Sequence, residues 1–317
     1  MLKGNKVTVE NIDFSGVQVA DQNGAGIRGE GSSLTIRRSR FHDNQMGVLI
    51  SPHADSDVVI EESEFYANTT DYAKVKLLGH NIYVGDVRSF VLKRSYIHHA
   101  QIGHNVKSRA ATNHILNNRI MDERDGSASY QIDLEAGGTA YIVGNVIHKS
   151  VHADNISAIN FASARRSAND RLYVVNNTIV VDLQSGQFVQ NRSTEPALVA
   201  NNILVGRGAP LAGPGRVVGN LIAPQAEPGL LGSIVGSTAA TAATGALIGN
   251  WTADIAGLRD PKAFDYRLQP NSPAVDRGVD LSSENANILP KEQYVHPRSG
   301  APRRVRGAID IGAYEVE

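Results

Sequence analysis

One short pattern recurs along most of the chain and constrains its fold more than any other feature. A few β-branched or apolar residues are followed by Asn or Ser, one variable residue and a large apolar residue. The pattern is found in LTIRRSRF (34–41), VVIEESEF (58–65), FVLKRSYI (90–97), HILNNRI (114–120), YIVGNVI (141–147), YVVNNTI (173–179), LVANNI (198–203) and VVGNLI (217–222). Its polar residues are Ser39, Ser63, Ser95, Asn118, Asn145, Asn177, Asn201 and Asn220.

The spacing between these polar residues varies from 19 to 32 residues, which does not fit leucine-rich or helical repeats. It favours a parallel β-helix, in which each coil contributes short strands and the corner loops differ in length. Asn suits a corner because it tolerates bent backbone and both donates and accepts, so stacked copies can form a ladder. We therefore predict an all-β, single-stranded right-handed parallel β-helix over residues 1–223. A β-sandwich with coincidental Asn turns is the alternative.

The pattern stops near residue 223, and we interpret residues 224–317 as an irregular C-terminal tail or cap. This tail is expected to fold back and cover the last coil, because an open stack exposes unpaired backbone. The charge-free run Pro228–Ala253 is rich in Ala, Gly, Ser and Thr and too weakly apolar for a membrane span. A surface loop or cap is the better interpretation of that run.

Composition excludes several classes of function. The net charge is −1 with 20% charged residues, so no overall field favours nucleic acid or a membrane surface. The chain has no cysteine, which excludes disulfides and thiolate chemistry. The N-terminal MLKGNKVTVENIDF has no apolar signal-peptide core, so we expect any export signal to have been trimmed or to lie upstream. We expect a monomer.

A second strand follows the polar residue in each coil and can be aligned between coils. The aligned segments include HNIYVGD (80–86), HNVKSRA (104–110), YQIDLEA (130–136) and SAINFAS (157–163). Strand side chains alternate between two faces, so Ile82/Val84, Val106/Ser108, Ile132/Leu134 and Ile159/Phe161 are expected inside. The opposite face is predicted to expose Asn81/Tyr83/Gly85, Asn105/Lys107/Arg109, Gln131/Asp133/Glu135 and Ala158/Asn160/Ala162.

These rungs and the ladder resemble the pectate-lyase-like superfamily of right-handed β-helix proteins over about residues 5–222. The closing DYRLQPNSPAVDRG and DIGAYE resemble a tail of exported or surface-associated bacterial β-helix proteins. That resemblance implies polysaccharide handling and a secreted, periplasmic or cell-surface location. VKSRAATNHILNNRI (106–120) is similar to a Lys-Ser coil of polysaccharide lyase family 6, the alginate and chondroitin lyases, and places Lys107 at that family's base. The next coil departs from the family, because Asp133 and Glu135 stand where an arginine is expected.

The predicted outward patch suits β-elimination on an acidic, uronate-containing polysaccharide. That reaction needs a cation at the substrate carboxylate, a base at C5 and a proton donor for the leaving oxygen. Lys107 or Arg109 could be base or clamp, since Arg109 is expected to lower the pKa of its neighbour, and Tyr83 could be the donor. His104 is a further catalytic candidate. The candidates for substrate binding are His80, Asn81, Asn105, Tyr130, Gln131 and Asn160. Asp133 and Glu135 could hold Ca²⁺, which prefers oxygen ligands.

Other interpretations of the same residues remain open. Lys107 and Arg109 beside Asp133 and Glu135 could be a solvated ion-pair face with a structural role only. The two carboxylates could instead serve a glycoside hydrolase, or the face could bind carbohydrate without catalysis. His80 and His104 could form a plain corner stack with Tyr130. Four further histidines are predicted in loops after the ladder, mostly as surface residues: His98, His99, His148 and His152.

Overall fold

Three parallel sheets form the walls of the molecule, and each coil contributes one strand to each of them. The computed structural model describes residues 1–224 and 247–317. Within those residues the first and second sheets have ten strands each and the third has eight. Neighbouring strands in all three sheets are parallel and come from consecutive coils. The predicted parallel β-helix is therefore confirmed.

The strand bounds follow the coils from the N-terminus onward. The first sheet comprises Val7–Glu10, Leu34–Arg37, His53–Glu61, Val87–Lys93, Thr112–Leu116, Thr139–Val143, Arg171–Val175, Ala197–Ala200, Gly215–Val218 and Leu247–Ile248. The second comprises Asp13–Ser15, Arg40–His42, Glu64–Tyr66, Tyr96–His98, Arg119–Met121, Val146–Lys149, Thr178–Val181, Ile203–Val205, Leu221–Ala223 and Trp251–Thr252. The third comprises Ala25–Gly29, Met46–Ile50, Ile82–Val84, Val106–Ser108, Ile132–Leu134, Ser157–Phe161, Gln187–Asn191 and Ala209–Ala212.

The core is a column of apolar side chains enclosed by the three sheets. Because the strands are in register, identical or similar side chains of successive coils stack on one another. Phe14, Phe41 and Phe65 are an example, with successive ring centroids 4.9 and 4.7 Å apart. The residues predicted to point inward from the third sheet are all buried: Ile82, Val84, Val106, Ser108, Ile132, Leu134, Ile159 and Phe161. The alternation of the short strands therefore fixes the inward face correctly.

A ladder of side-chain hydrogen bonds runs along the corner between the first and second sheets. Asn145 donates to Asn177 (3.0 Å), Asn177 to Asn202 (2.9 Å) and Asn202 to Asn220 (2.9 Å). Asn220 donates to Asn250 (2.9 Å), so the ladder continues beyond residue 224. Each Nδ2 also donates to a backbone carbonyl in the coil before it, as Asn177 does to Ile142. The ladder thus links each coil to the backbone of the coil before it, through carbonyls of first-sheet strand residues.

The prediction that Asn201 belongs to this ladder is wrong, and Asn202 takes its place. Asn201 has φ 53°, in the left-handed region, as do Asn117 and Asn176 directly before the ladder residues Asn118 and Asn177. The corner therefore needs a residue that tolerates positive φ and then an amide. Asn201 and Asn202 both fit the sequence pattern. Only the backbone conformation shows that Asn201 occupies the bend and Asn202 the ladder.

A second polar ladder lies at the corner between the second and third sheets. Asn68 donates to Asn81 (2.8 Å), Asn81 to Asn105 (2.7 Å) and Asn105 to Gln131 (2.7 Å). Gln131 then donates to the carboxylate of Asp122 (2.7 Å). Asn81, Asn105 and Gln131 have no exposed surface. Their predicted exposure is wrong, and a polysaccharide on the outer surface cannot touch them.

The β-helix resumes after the gap in the described residues. Val217 pairs with Leu247 and Leu221 with Trp251, so the first two sheets extend one coil past residue 223. Most of the charge-free run Pro228–Ala253 lies outside the described residues, and its interpretation as a loop or cap stays a prediction. No helix in the described parts of the chain is long and apolar enough to span a membrane.

The C-terminal tail packs against the β-helix as the predicted cap, and it covers the flank of the second sheet together with the last coils. It contains two antiparallel hairpins, Leu258–Asp260 with Asp265–Leu268 and Glu292–Val295 with Ser299–Pro302. Short helical turns occur at Pro261–Ala263 and Ala286–Ile288 in the tail and at Tyr72–Val75 in the β-helix. The outer side of the second sheet is charged in early coils but apolar later, at Val146, Val180 and Val205. Burial of that apolar strip explains where the tail binds.

The two tail motifs interlock in the fold. Asp310 of DIGAYE is buried, and its carboxylate accepts from the backbone N–H of Asp276 and of Val316, both at 2.7 Å. The Arg303 side chain has no exposed surface and pairs with Glu315 at 2.6 Å. Asn201 bonds to the backbone of Val279 in both directions, through Nδ2 and Oδ1. These polar contacts hold the tail together and attach it to the coils whose second-sheet strands have an apolar outer side.

Candidate functional site

The predicted patch residues do converge on the outer face of the third sheet. Strand register aligns Tyr83 with Lys107, Lys107 with Asp133 and Asp133 with Asn160. Adjacent strands are about 4.8 Å apart, so one column of side chains crosses four coils. Arg109 and Glu135 lie two residues farther along their own chains. We call Tyr83, Lys107, Arg109, Asp133 and Glu135 the third-sheet patch.

Lys107 is the centre of the third-sheet patch. Its Nζ is 3.0 Å from Asp133 Oδ2 and 3.0 Å from Glu135 Oε2, and its side chain is 14% exposed. Burial on its own would lower the pKa of Lys107, but the two carboxylates outweigh burial and raise the pKa above its ordinary value. The predicted lowering of this pKa by Arg109 is therefore wrong. Lys107 is held as an ammonium ion, which is unsuited to act as a base.

Asp133 is a buried carboxylate with three partners. Its side chain is 3% exposed, and it binds Lys107, Asn160 Nδ2 at 2.7 Å and His104 Nε2 at 3.4 Å. Asn160 is 1% exposed, so its predicted contact with substrate requires a surface that it does not have. Asp133 is thus the buried end of the patch, where Asn160 and His104 hold the carboxylate that binds Lys107.

His80, His104 and Tyr130 form a stack at the corner. The centroid distances are 4.8 Å between the two histidines and 5.2 Å from His104 to Tyr130. The N–H of Tyr130 donates to Nδ1 of His104, which leaves the proton of that ring on Nε2, facing Asp133. Burial, followed by the charges of Lys107 and Lys149, lowers the pKa of His104 to about 3. His104 is neutral and covered, and His80 is likewise buried, so the corner-stack interpretation describes both.

Tyr83 and Arg109 are the exposed half of the patch. The neighbouring Tyr83 hydroxyl is the largest influence raising the pKa of Arg109. Lys107 Nζ is 5.9 Å from the centroid of the Tyr83 ring. A shallow cavity of about 140 Å³ beside them is lined by both residues together with Arg28, Asp86 and Pro52. A phenol and a guanidinium, both partly exposed, therefore lie together in the lining of this cavity.

Three charged residues of this surface were missed at the sequence level. Asp86 binds Arg109 at 3.4 Å and also pairs with Arg165, and Arg28 lines the cavity. Asp86 ends the HNIYVGD segment, and its position directly after a patch strand was a usable signal. Arg165 is 79 residues from Asp86 in sequence and lies in a loop, so no local pattern could have placed it there.

The carboxylates do not offer the predicted calcium site. The ammonium of Lys107 lies between Asp133 and Glu135, where a metal ion would have to bind. Among the described residues, no group of three or more His, Cys, Asp and Glu side chains is arranged to hold a metal ion. The donor set therefore does not fit Ca²⁺, which takes six to eight oxygen ligands.

Two of the predicted loop histidines are in fact parts of strands. His148 lies in Val146–Lys149 of the second sheet, and its side chain is 1% exposed. Its predicted position on the surface is wrong because the tail covers that part of the sheet. His98 also ends a second-sheet strand, where it stacks on Tyr66 and Tyr96.

Comparison with known proteins supports the fold and assigns no activity. Residues 1–147 match the family described as a right handed beta helix region. No curated protein matches the chain significantly. The matched residues contain the whole third-sheet patch, and the parallel coils continue well beyond them. The N-terminal 147 residues are therefore similar to that family, and the chain as described has the parallel β-helix fold.

Proposed function

We propose that the protein cleaves an acidic, uronate-containing polysaccharide by β-elimination at the third-sheet patch. The observation that supports this proposal is that Tyr83 and Arg109 lie together in the lining of one small surface cavity. Arg109, with Arg28 across the cavity, supplies the cation that the substrate carboxylate needs. Tyr83 supplies a group that can both accept and donate a proton.

The proposed chemistry assigns both proton transfers to Tyr83. Its phenolate oxygen takes the C5 proton, the electrons of that bond form the C4=C5 double bond, and the C4–O bond breaks. The leaving oxygen then receives the same proton, which regenerates the phenolate. Arg109 and the ammonium of Lys107 both lie near Tyr83 and can stabilise the negative charge that develops on the substrate. Lys107 thus has a positioning role in place of the base role that its sequence suggested.

The reaction product gives a direct test. An unsaturated uronate absorbs in the ultraviolet, so incubation with a panel of polyuronates should raise the absorbance. Tyr83→Phe should lower turnover by a factor of about 10² to 10⁴, the usual contribution of a general acid–base group. Tyr173→Phe is the matched control, because Tyr173 stacks on Tyr141 on the first sheet, away from the patch.

Two results would contradict the proposal. New reducing ends without ultraviolet absorbance would indicate hydrolysis, and an active Tyr83→Phe variant would remove Tyr83 from the mechanism. Hydrolysis is the weaker candidate, because Asp133 is only 3% exposed and is bound to Lys107. A chelator should leave the activity unchanged, since the Lys107 ammonium already occupies the position between the two carboxylates.

Carbohydrate binding without catalysis is the second candidate. It is favoured by the internal pairing of the patch: Lys107 with Asp133 and Glu135, and Arg109 with Glu135 at 3.7 Å. Under this candidate, polyuronates bind without any product, and Arg109→Gln weakens binding. For either activity we propose a monomer located outside the cytoplasm, where such polymers occur.

A further inference from the structure

A second cleft lies on another side of the molecule, between the second sheet and the C-terminal tail. Its volume is about 350 Å³, within the range of ligand sites of about 300–1,000 Å³. We call it the tail cleft. The β-helix supplies one wall through Val180, Val205 and the loop residues Asp182, Gln184 and Arg207. The first tail hairpin supplies the other wall through Lys262 and Phe264.

A buried histidine orients the carboxylate at this cleft. His148 Nδ1 accepts from the N–H of Glu123 (3.2 Å), so its proton is on Nε2, which is 2.9 Å from Asp182 Oδ2. The His148 side chain is 1% exposed, whereas that of Asp182 is 44% exposed. Arg207 donates to Gln184 at 3.0 Å, which places an amide and a guanidinium together on the same wall. The polar groups of the tail cleft are therefore held in place before any ligand binds.

The opposite wall contains a strained aromatic residue. Phe264 has φ 57°, in the left-handed region, which is unusual for a bulky side chain and often marks a functional position. Its carbonyl accepts from Arg119 of the second sheet at 2.9 Å, and its ring lies edge-on to His148 with centroids 5.1 Å apart. The β-helix thus fixes the hairpin turn in the conformation that presents Phe264 to the cleft.

We propose that the tail cleft binds a single hexuronate unit of an acidic saccharide. A sugar ring has a flat face of C–H groups, which matches Phe264 and the valines, and hydroxyls, which match Asp182 and Gln184. The Arg207 guanidinium, held beside Gln184, can pair with the sugar carboxylate in a charge-assisted hydrogen bond, which favours an anionic over a neutral sugar. The site is separate from the third-sheet patch, so the polymer would have a second point of attachment.

Methyl-resolved NMR titration with D-glucuronate tests this inference. A monosaccharide has no glycosidic bond to cleave, so the result does not depend on the proposed lyase activity. The methyl signals of Val180 and Val205 report on the tail cleft, and those of Leu49, which lines the small cavity, report on the third-sheet patch. We expect glucuronate to shift the signals of Val180 and Val205, and D-glucose to shift them only at much higher concentration.

Variants assign the binding to the charged wall. Arg207→Gln should weaken glucuronate binding at the tail cleft about tenfold or more, as expected for loss of a charge-assisted hydrogen bond. Arg216→Gln is the matched control, because Arg216 pairs with Glu284 outside the cleft, and its affinity should be unchanged. Unshifted valine signals, equal affinity for glucose and glucuronate, or an unaffected Arg207→Gln variant that unfolds at the normal temperature would each overturn the inference.

Discussion

Two buried or partly buried lysines of this protein have pKa values shifted in opposite directions. Lys149 has no exposed surface, and its Nζ donates to the carbonyls of Ala128 (3.1 Å) and Ser129 (2.6 Å). Burial lowers the pKa of Lys149 to about 8, although the carboxylates of Asp122 and Asp154 oppose that change. Lys107, with two carboxylates at 3.0 Å, has a raised pKa. The direction of the pKa shift of a lysine therefore depends on whether carboxylates contact it directly, and not on burial alone.

Lys149 makes stability depend on pH in a defined window. Its pKa is about 8 when folded and close to the ordinary 10.5 when unfolded, so the unfolded state binds more protons between these values. The free energy of unfolding should therefore rise with pH from about 8 to 10.5, by on the order of 3 kcal/mol. Lys149→Met should lack this rise in urea titrations at several pH values, and an identical pH dependence in both proteins would refute the assignment.

Single residues of the patch were predictable only in part. The alternation of short strands placed Tyr83, Lys107 and Asp133 on one face, and their convergence follows from the stacking of coils. Protonation could not be predicted, because it depends on side-chain distances between residues 26 positions apart. Without those distances, a lysine near an arginine suggests a lowered pKa, whereas the carboxylates at 3.0 Å produce the opposite.

Strand length explains the main error about elements. The third-sheet strands Ile82–Val84, Val106–Ser108 and Ile132–Leu134 have only three residues each. Alternation holds within them and ends at their first residue. Asn81, Asn105 and Gln131 lie directly before these strands and belong to the corner, where the chain bends and the amides stack inside. The seven-residue segments aligned from the sequence are longer than these strands. They therefore apply the alternation of strand side chains to corner residues, where it does not hold.

The corner ladder predicts different consequences for two adjacent asparagines. Asn202→Ala removes hydrogen bonds to Asn177, Asn220 and the Val174 carbonyl and leaves buried groups unpaired. We expect it to lower the free energy of unfolding by about 2–4 kcal/mol. Asn201→Gly keeps the left-handed backbone and loses only the contacts with Val279, so it should cost less. Chemical denaturation of both variants checks the order, and a larger loss for Asn201→Gly would contradict the assigned ladder.

At the level of the whole molecule, the tail functions as a flank cover. Its apolar residues Leu258, Tyr266, Leu268 and Ile311 are buried against the outer side of the second sheet. A parallel β-helix was predictable because its repeat is local and visible in the sequence. The docking position of the tail was not, since it depends on which coils have apolar outer faces, and that property emerges only when all coils are stacked.

Tail docking should be separable from folding of the coils. Leu268→Asp puts an unpaired charge at a position that is 2% exposed, so we expect the tail to detach and become sensitive to protease. Val295→Asp is the control, because Val295 is 40% exposed in the second hairpin. Limited proteolysis should cleave the first variant within the tail while the coils stay resistant. Equal resistance of both variants would show that the tail does not depend on this apolar contact.

The stacked coils also have a consequence for how such a site can change. Tyr83, Lys107, Asp133 and Asn160 stand in one column, yet each is carried by its own coil, closed by its own corners. One coil can therefore be replaced while its inward-facing residues and ladder amides are kept. The residues that the neighbouring coils contribute to the column then stay unchanged. Each residue of such a site can be changed separately from the others. Replacement of a single coil can therefore alter the ligand specificity of the site.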